Sequence, residues 1–144
     1  MLAPFLSLML PKPYRGKAGE EDLLSISVAN YLRAATIEGR LLATWTSVPH
    51  EVGAVSRHGA SFGAAVAKYA KQKAMGLIPG SGDFVFVWPN GGGWIELKVS
   101  GGSLSDNQKQ FRDWCVATGN RYALCRTVDQ VVEKLLEWGA LTAR

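Results

Sequence analysis

Cysteine and histidine are scarce in this chain, two of each in 144 residues. Cys115 and Cys125 form no metal-like cluster, and they read as buried free thiols of a reducing compartment. His50 and His58 have no partner at metal-ligand spacing, so each reads as a surface or hydrogen-bonded side chain. Long apolar runs are missing too. The first eleven residues, MLAPFLSLMLP, are apolar but too short to span a bilayer. No basic residue precedes them and no small-x-small site follows, which argues against a secretory signal. They read as an ordered arm or packing segment and as a candidate dimer contact. Internal repeats and low-complexity tracts are absent, so neither a solenoid nor a biased tail is expected. Charge of either sign is modest, with a net +4. The excess is uneven. Residues 1–74 hold nine Lys/Arg against five Asp/Glu, while residues 75–144 hold seven of each. A positive surface ahead of the candidate site suits a polyanion, although a balance this small is weak evidence by itself.

What the chain does have is concentrated in residues 76–100, GLIPGSGDFVFVWPNGGGWIELKVS. A Pro-Gly-Ser-Gly turn leads into Asp83 and a run of β-formers, FVFVW. Asn90-Gly-Gly-Gly supplies turn chemistry. From Trp94 to Val99 the residues alternate strictly. Ile95, Leu97 and Val99 therefore face one side of a strand, and Glu96 and Lys98 face the other, about 7 Å apart. Paired as neighbours, the two strands bring Asp83 close to Glu96.

Close carboxylates repel, and an isolated charge is costly to bury. A divalent cation relieves both problems, since Mg²⁺ takes one or two carboxylates together with waters and substrate phosphate. Protonated Lys98 cannot ligate, but it can steer a nucleophilic water or stabilise charge on a phosphate. Phosphodiester hydrolysis needs these parts. A solvent-facing hairpin would also carry Glu-x-Lys with no chemistry at all. The Gly-Ser-Gly-Asp that precedes the strand is what weighs toward function.

Around this stretch the pattern predicts an α/β domain. An arm over residues 1–18 includes the basic linker Lys12-Pro-Tyr-Arg-Gly-Lys, and a single domain of 19–144 follows. A helix starts near Gly19 with Leu24, Val28, Tyr31 and Leu32 on one stripe. Acidic Glu20, Glu21 and Asp22 complement its dipole. Residues 41–48 read as a strand, and Pro49-His50-Glu51 follows it. Residues 59–74 read as a helix rich in small residues, with Phe62, Val66 and Tyr69 or Ala70 as a modest stripe. Arg57, His58, Lys68, Lys71 and Lys73 flank or occupy it, either as a solvated basic face or as phosphate contacts. Ser105 to Gln108 and Thr127 to Gln130 read as capping boxes, and Gly119 as a C′ glycine. Phe111, Trp114 and Cys115 are expected on the inward face of one helix. Residues 122–126 read as a strand, and Val131, Val132, Leu135, Leu136 and Trp138 as the stripe of the last helix. The order is helix, strand, helix, strand, strand, helix, strand, helix: a central mixed sheet flanked by helices.

Gly76-x-x-Pro79-Gly80-x-x-Asp83, Glu96-Leu97-Lys98 and Leu104-Ser105-x-x-Gln108 stand in an order that resembles the VRR-NUC family of the PD-(D/E)xK nucleases. The resemblance runs from about residue 20 to about residue 138. It implies a restriction-endonuclease-like core and a metal-dependent DNA endonuclease. Asp83 and Glu96 would then hold Mg²⁺ or Mn²⁺, with the backbone carbonyl of Leu97 as a further ligand. Lys98 would position or activate the attacking water, and Gln108 would hydrogen-bond near the catalytic strand beside its capping role. The family has a glutamate on its first helix that reaches the metal site and would assist the metal; spacing favours Glu21, with Glu20 the alternative. Pro49-His50-Glu51 stands where the family often has Pro-Asn-Glu-Gly, which makes Glu51 a candidate for the metal or the nucleic-acid backbone.

Kinship further implies a homodimer in the style of Holliday-junction resolvases, a phage or prophage source and a place in the bacterial cytoplasm. A twofold pair of sites suits cutting two strands of a symmetric substrate. Three other readings stay open: a DNA-binding module of the same fold without cleavage, a small interaction protein whose hairpin happens to match, and a nuclease acting on RNA.

Overall fold

In the computed structural model, residues 3–11, 13–49 and 60–144 are described. The expected alternation of helices and strands forms, with one helix added in the arm. The elements are α1 (Ala3–Met9), α2 (Glu20–Ile37), β1 (Thr44–Ser47), α3 (Ala60–Ala74), β2 (Phe84–Trp88), β3 (Gly91–Leu97), α4 (Asp106–Ala117), β4 (Arg121–Cys125) and α5 (Val128–Glu137). The sheet order is β1-β2-β3-β4. The first two pairings are antiparallel, and β3 with β4 is parallel. A parallel pair needs a crossover, and α4 supplies it.

Period-two alternation decides the two faces. Phe84, Phe86, Ile95, Leu97, Ala123 and Cys125 are buried on one side, with Val28 and Leu32 from α2 and Val131 and Leu135 from α5. On the other side the Trp94 ring meets Phe111 of α4 edge to face at 5.0 Å. The carboxylates and the lysine lie on this second face. The main core is therefore apolar and complete without them.

Several expectations change. Asn90-Gly-Gly-Gly is not all turn: Gly91, Gly92 and Gly93 are strand residues paired with Trp88, Val87 and Phe86. A Cβ on Gly93 would sit 2.7 Å from the Trp138 ring, so packing demands this glycine. The strand expected over 41–48 shrinks to Thr44–Ser47. Leu41 bridges to Leu141 instead, because the chain after α5 returns beside it. Thr127 caps α5 by accepting from the Gln130 N–H, but Gln130 Oε1 accepts from the Arg126 N–H and the box does not close. Trp114 is not inward; it is 54% exposed while Phe111 and Cys115 are buried. In α1, Phe5 and Leu8 are exposed.

The Pro79-Gly80 turn is seated against the start of α4. Gly80 has φ +85°, and a Cβ there would meet the Asn107 carbonyl carbon and oxygen at 2.4 Å. Both the left-handed backbone and the missing space require glycine. Gly80→Ala is expected to destabilise the domain by about 3 kcal/mol, read as a lower urea midpoint. An unchanged midpoint would mean that the turn is not held against α4.

Candidate active site

The β2–β3 register pairs Phe84 with Ile95, which puts Asp83 across from Glu96 at the end of the hairpin. The Leu97 N–H donates to Asp83 Oδ2 at 2.7 Å, and the Val48 N–H donates to the Asp83 carbonyl at 2.9 Å. Asp83 is thereby fixed between β1 and β3. Glu96 is 2% exposed. Its Oε1 accepts from Gln108 Nε2 at 2.7 Å, and its Oε2 is buried with no hydrogen-bond partner among the described residues.

Gln108 reaches Glu96 because the α4 capping box holds its backbone. The Gln108 N–H donates to Ser105 Oγ, and Gln108 Oε1 accepts from the Ser105 N–H. One side chain thus closes a helix end and grips a buried carboxylate. Lys98 Nζ stands 3.7 Å from Glu96 Oε1 and 3.9 Å from Glu21 Oε1. Of the three acids in the first turn of α2, Glu21 is the one that forms this ion pair.

Burial pushes the Glu96 carboxyl up to about 8, and the Asp83 charge adds to the push while Lys98 opposes it. A carboxyl so raised, in a cluster of charged groups, is a mark of functional sites. The site also fits a hard divalent cation. An orphaned buried carboxylate oxygen beside a second carboxylate is what such an ion relieves. Among the described residues no three His, Cys, Asp or Glu side chains form a metal-holding group. The donor set would be two carboxylates completed by backbone, water or phosphate oxygen, which Mg²⁺ accepts.

Lys68, Lys71 and Lys73 are exposed along α3. Among the described residues no ion pair ties them to the carboxylates. Arg57, His50, Glu51 and His58 lie outside the described residues. Two groups escaped the sequence reading. Asp22 lines a cleft of about 220 Å³ with Asp83, Ser25 and Ser47; its spacing to Ser25, one turn on, was the available signal. Tyr122 has a buried hydroxyl with no partner among the described residues. Burial first, then the Glu96 and Asp83 charges, push that phenol up.

A family model described as VRR-NUC domain matches residues 36–129, more than half of the chain. Comparison with curated proteins and with solved structures gave no match.

Proposed function

The chain belongs to the VRR-NUC family, and from that premise we propose that it is a metal-dependent DNA endonuclease, selective for branched DNA and active as a homodimer. Membership carries the coarser statement, a nuclease-type domain with DNA as its substrate. The observation that carries metal-dependent cleavage is Glu96, a carboxylate buried with one oxygen unsatisfied, across from Asp83 and beside Lys98.

Asp83 and Glu96 would hold Mg²⁺ or Mn²⁺, with the Leu97 carbonyl as a further ligand. Such an ion acts as a Lewis acid on the phosphate and makes bound water more acidic. Lys98 presents an ammonium to the attacking water or to a phosphate oxygen, where negative charge grows. Glu21 and Glu96 hold that ammonium between them. Gln108 fixes Glu96 through Oε1 and leaves Oε2 for the ion. Asp83 is oriented by the Leu97 N–H.

Pairing of two copies is supported by exposed apolar side chains on the arm (Phe5, Leu8, Leu10) and on α3 (Phe62, Val66). A cytoplasmic place suits the buried free thiols Cys115 and Cys125. No helix among the described residues is long and apolar enough to cross a membrane.

The test compares a labelled four-way junction with a linear duplex in Mg²⁺, Mn²⁺ and EDTA, with Asp83→Ala alongside and the mass in solution measured. Metal-dependent cutting of the junction by a dimer, lost in Asp83→Ala, is the expected result. Binding without cutting in any metal would leave the non-catalytic DNA-binding module instead. The basic face of α3 gives a separate prediction. Replacing Lys68, Lys71 and Lys73 by alanine should weaken DNA binding for all sequences alike. It should also flatten the log-log salt dependence of affinity by up to about 2.7. An unchanged slope would make them a solvated face.

A further inference from the structure

Beside the carboxylates lies a second feature that the metal reading does not use. A cavity of about 340 Å³ is walled by Trp94, Phe111 and Trp114 and floored by Ser81. Its position follows from strand geometry. Trp94 and Glu96 lie on one face of β3, two residues and about 7 Å apart. Ser81 stands two residues before Asp83. Trp94 and Ser81 are therefore each two residues along the chain from a carboxylate.

Two observations there call for a ligand. Ser81 is 4% exposed, and its Oγ has no hydrogen-bond partner among the described residues. Buried hydroxyls are seldom left so. Trp114 is 54% exposed in the last turn of α4, and it also borders a neighbouring cleft of about 330 Å³ with Pro79 and Asn107. Its ring is braced edge to face on Phe111 at 5.9 Å, and Phe111 is braced on Trp94. Such rings form a rigid wall rather than a loose surface side chain. A ligand with apolar flat faces and a polar edge answers both observations: the faces lie on the rings, and the edge meets the hydroxyl.

We infer that this cavity receives an unstacked nucleobase of the substrate strand, one position from the bond that the carboxylates address. The inference rests on the nuclease reading and narrows its substrate class. DNA with an unpaired or easily extruded nucleotide beside the cut is preferred, because flipping a base out of intact duplex costs stacking and pairing. Ser81 Oγ, with Asn120 at the rim, contacts the base edge; Trp114 and Phe111 supply the stacking platform.

The test needs no cleavage. The full chain is titrated in EDTA against three fluorescent duplexes: fully paired, carrying one unpaired adenine, and carrying an abasic nucleotide at that place. The wild type should bind the adenine probe about tenfold more tightly than the abasic one. Trp114→Ala should bring that ratio close to one, and Ser81→Ala should narrow it while leaving the melting temperature unchanged or raised. Ser81→Ala removes an unsatisfied hydroxyl and keeps the fold, so it stands in if the tryptophan variant misfolds. Equal affinities for adenine and abasic probes, no binding of any probe, or a ratio kept in both variants overturns the base pocket. The nuclease reading is judged separately, by cutting in Mg²⁺ or Mn²⁺, so either can fail while the other stands.

Discussion

Lys98→Ala is expected to slow phosphodiester cleavage by about a thousandfold, with DNA affinity in EDTA changed by less than about threefold. The asymmetry follows from where the ammonium sits. Its neighbours are Glu96 Oε1 at 3.7 Å and Glu21 Oε1 at 3.9 Å, inside the acidic cluster rather than on the basic face of α3. In the proposed reaction a group so placed would meet charge that grows only as the reaction proceeds, and it would add little to ground-state binding. Cleavage rate and affinity should therefore separate. A variant that lost both in proportion would make Lys98 a binding residue. Glu21→Gln should give a smaller loss of rate, since it holds Lys98 and touches no reacting atom. If Lys98→Ala cut DNA normally, the assignment of the site would fail.

The second large effect concerns stability. Glu96 is held near 8 in the folded chain against an ordinary value of 4.5. Between those pH values the folded chain keeps a proton that the unfolded chain has released, so folding is favoured at the acid end. Stability should fall as pH rises from about 4.5 to about 8, by up to about 1.4 kcal/mol per pH unit, and level off on either side. Because Asp83 contributes to the shift, the observed titration belongs to the pair. Glu96→Gln keeps an acceptor for Gln108 Nε2 and removes the titrating group. Its melting temperature in EDTA should be flatter across this window and higher than wild type at pH 8. Mg²⁺ should raise the wild-type melting temperature at pH 8 and leave Glu96→Gln nearly unmoved, because binding requires the ionised carboxylate. A wild-type curve that is flat from pH 5 to 8 would show that the buried carboxyl is not strained.

A strained carboxyl is the expected cost of a charge cluster kept for the proposed chemistry. Here the cost is confined to one face of the sheet. Among the described residues the apolar core between the sheet and α2 and α5 contains no charged group, so the fold tolerates a discontented Glu96 on the opposite side. Gln108 and Leu97 limit the damage by satisfying one oxygen of each carboxylate, while Oε2 of Glu96 keeps the deficit.

Local order made much of this legible. Ile95 and Leu97 alternate with Glu96 and Lys98, and a strand has no choice but to separate them onto two faces. Ser105 and Gln108 stand at capping-box spacing, and that spacing suffices to start α4 where it starts. The motif order from Gly76 to Gln108 also marked the family. Tertiary packing decided what spacing could not. Gly91 to Gly93 have turn composition, yet they continue a strand, because they pair with Trp88, Val87 and Phe86, and at Gly93 the Trp138 ring fills the space where a side chain would stand. Gln130 has capping-box spacing, but the Arg126 N–H competes for its side chain and wins. Trp114 matches the inward stripe of α4, but the helix rolls so that Phe111 takes the inner place and Trp114 faces the cavity. The choice of Glu21 over Glu20 as the partner of Lys98 depends on the rotation of α2 about its axis, which burial of Val28, Leu32 and Ala35 fixes. By itself, then, the sequence determined the strands, the capped helix and the acid–lysine cluster, all of which follow from neighbours a few residues apart. Only the tertiary structure decided which oxygen stays unsatisfied, which ring faces solvent and that Ser81 shares a cavity with Trp94, Phe111 and Trp114, because those depend on groups far apart in the chain competing for the same space.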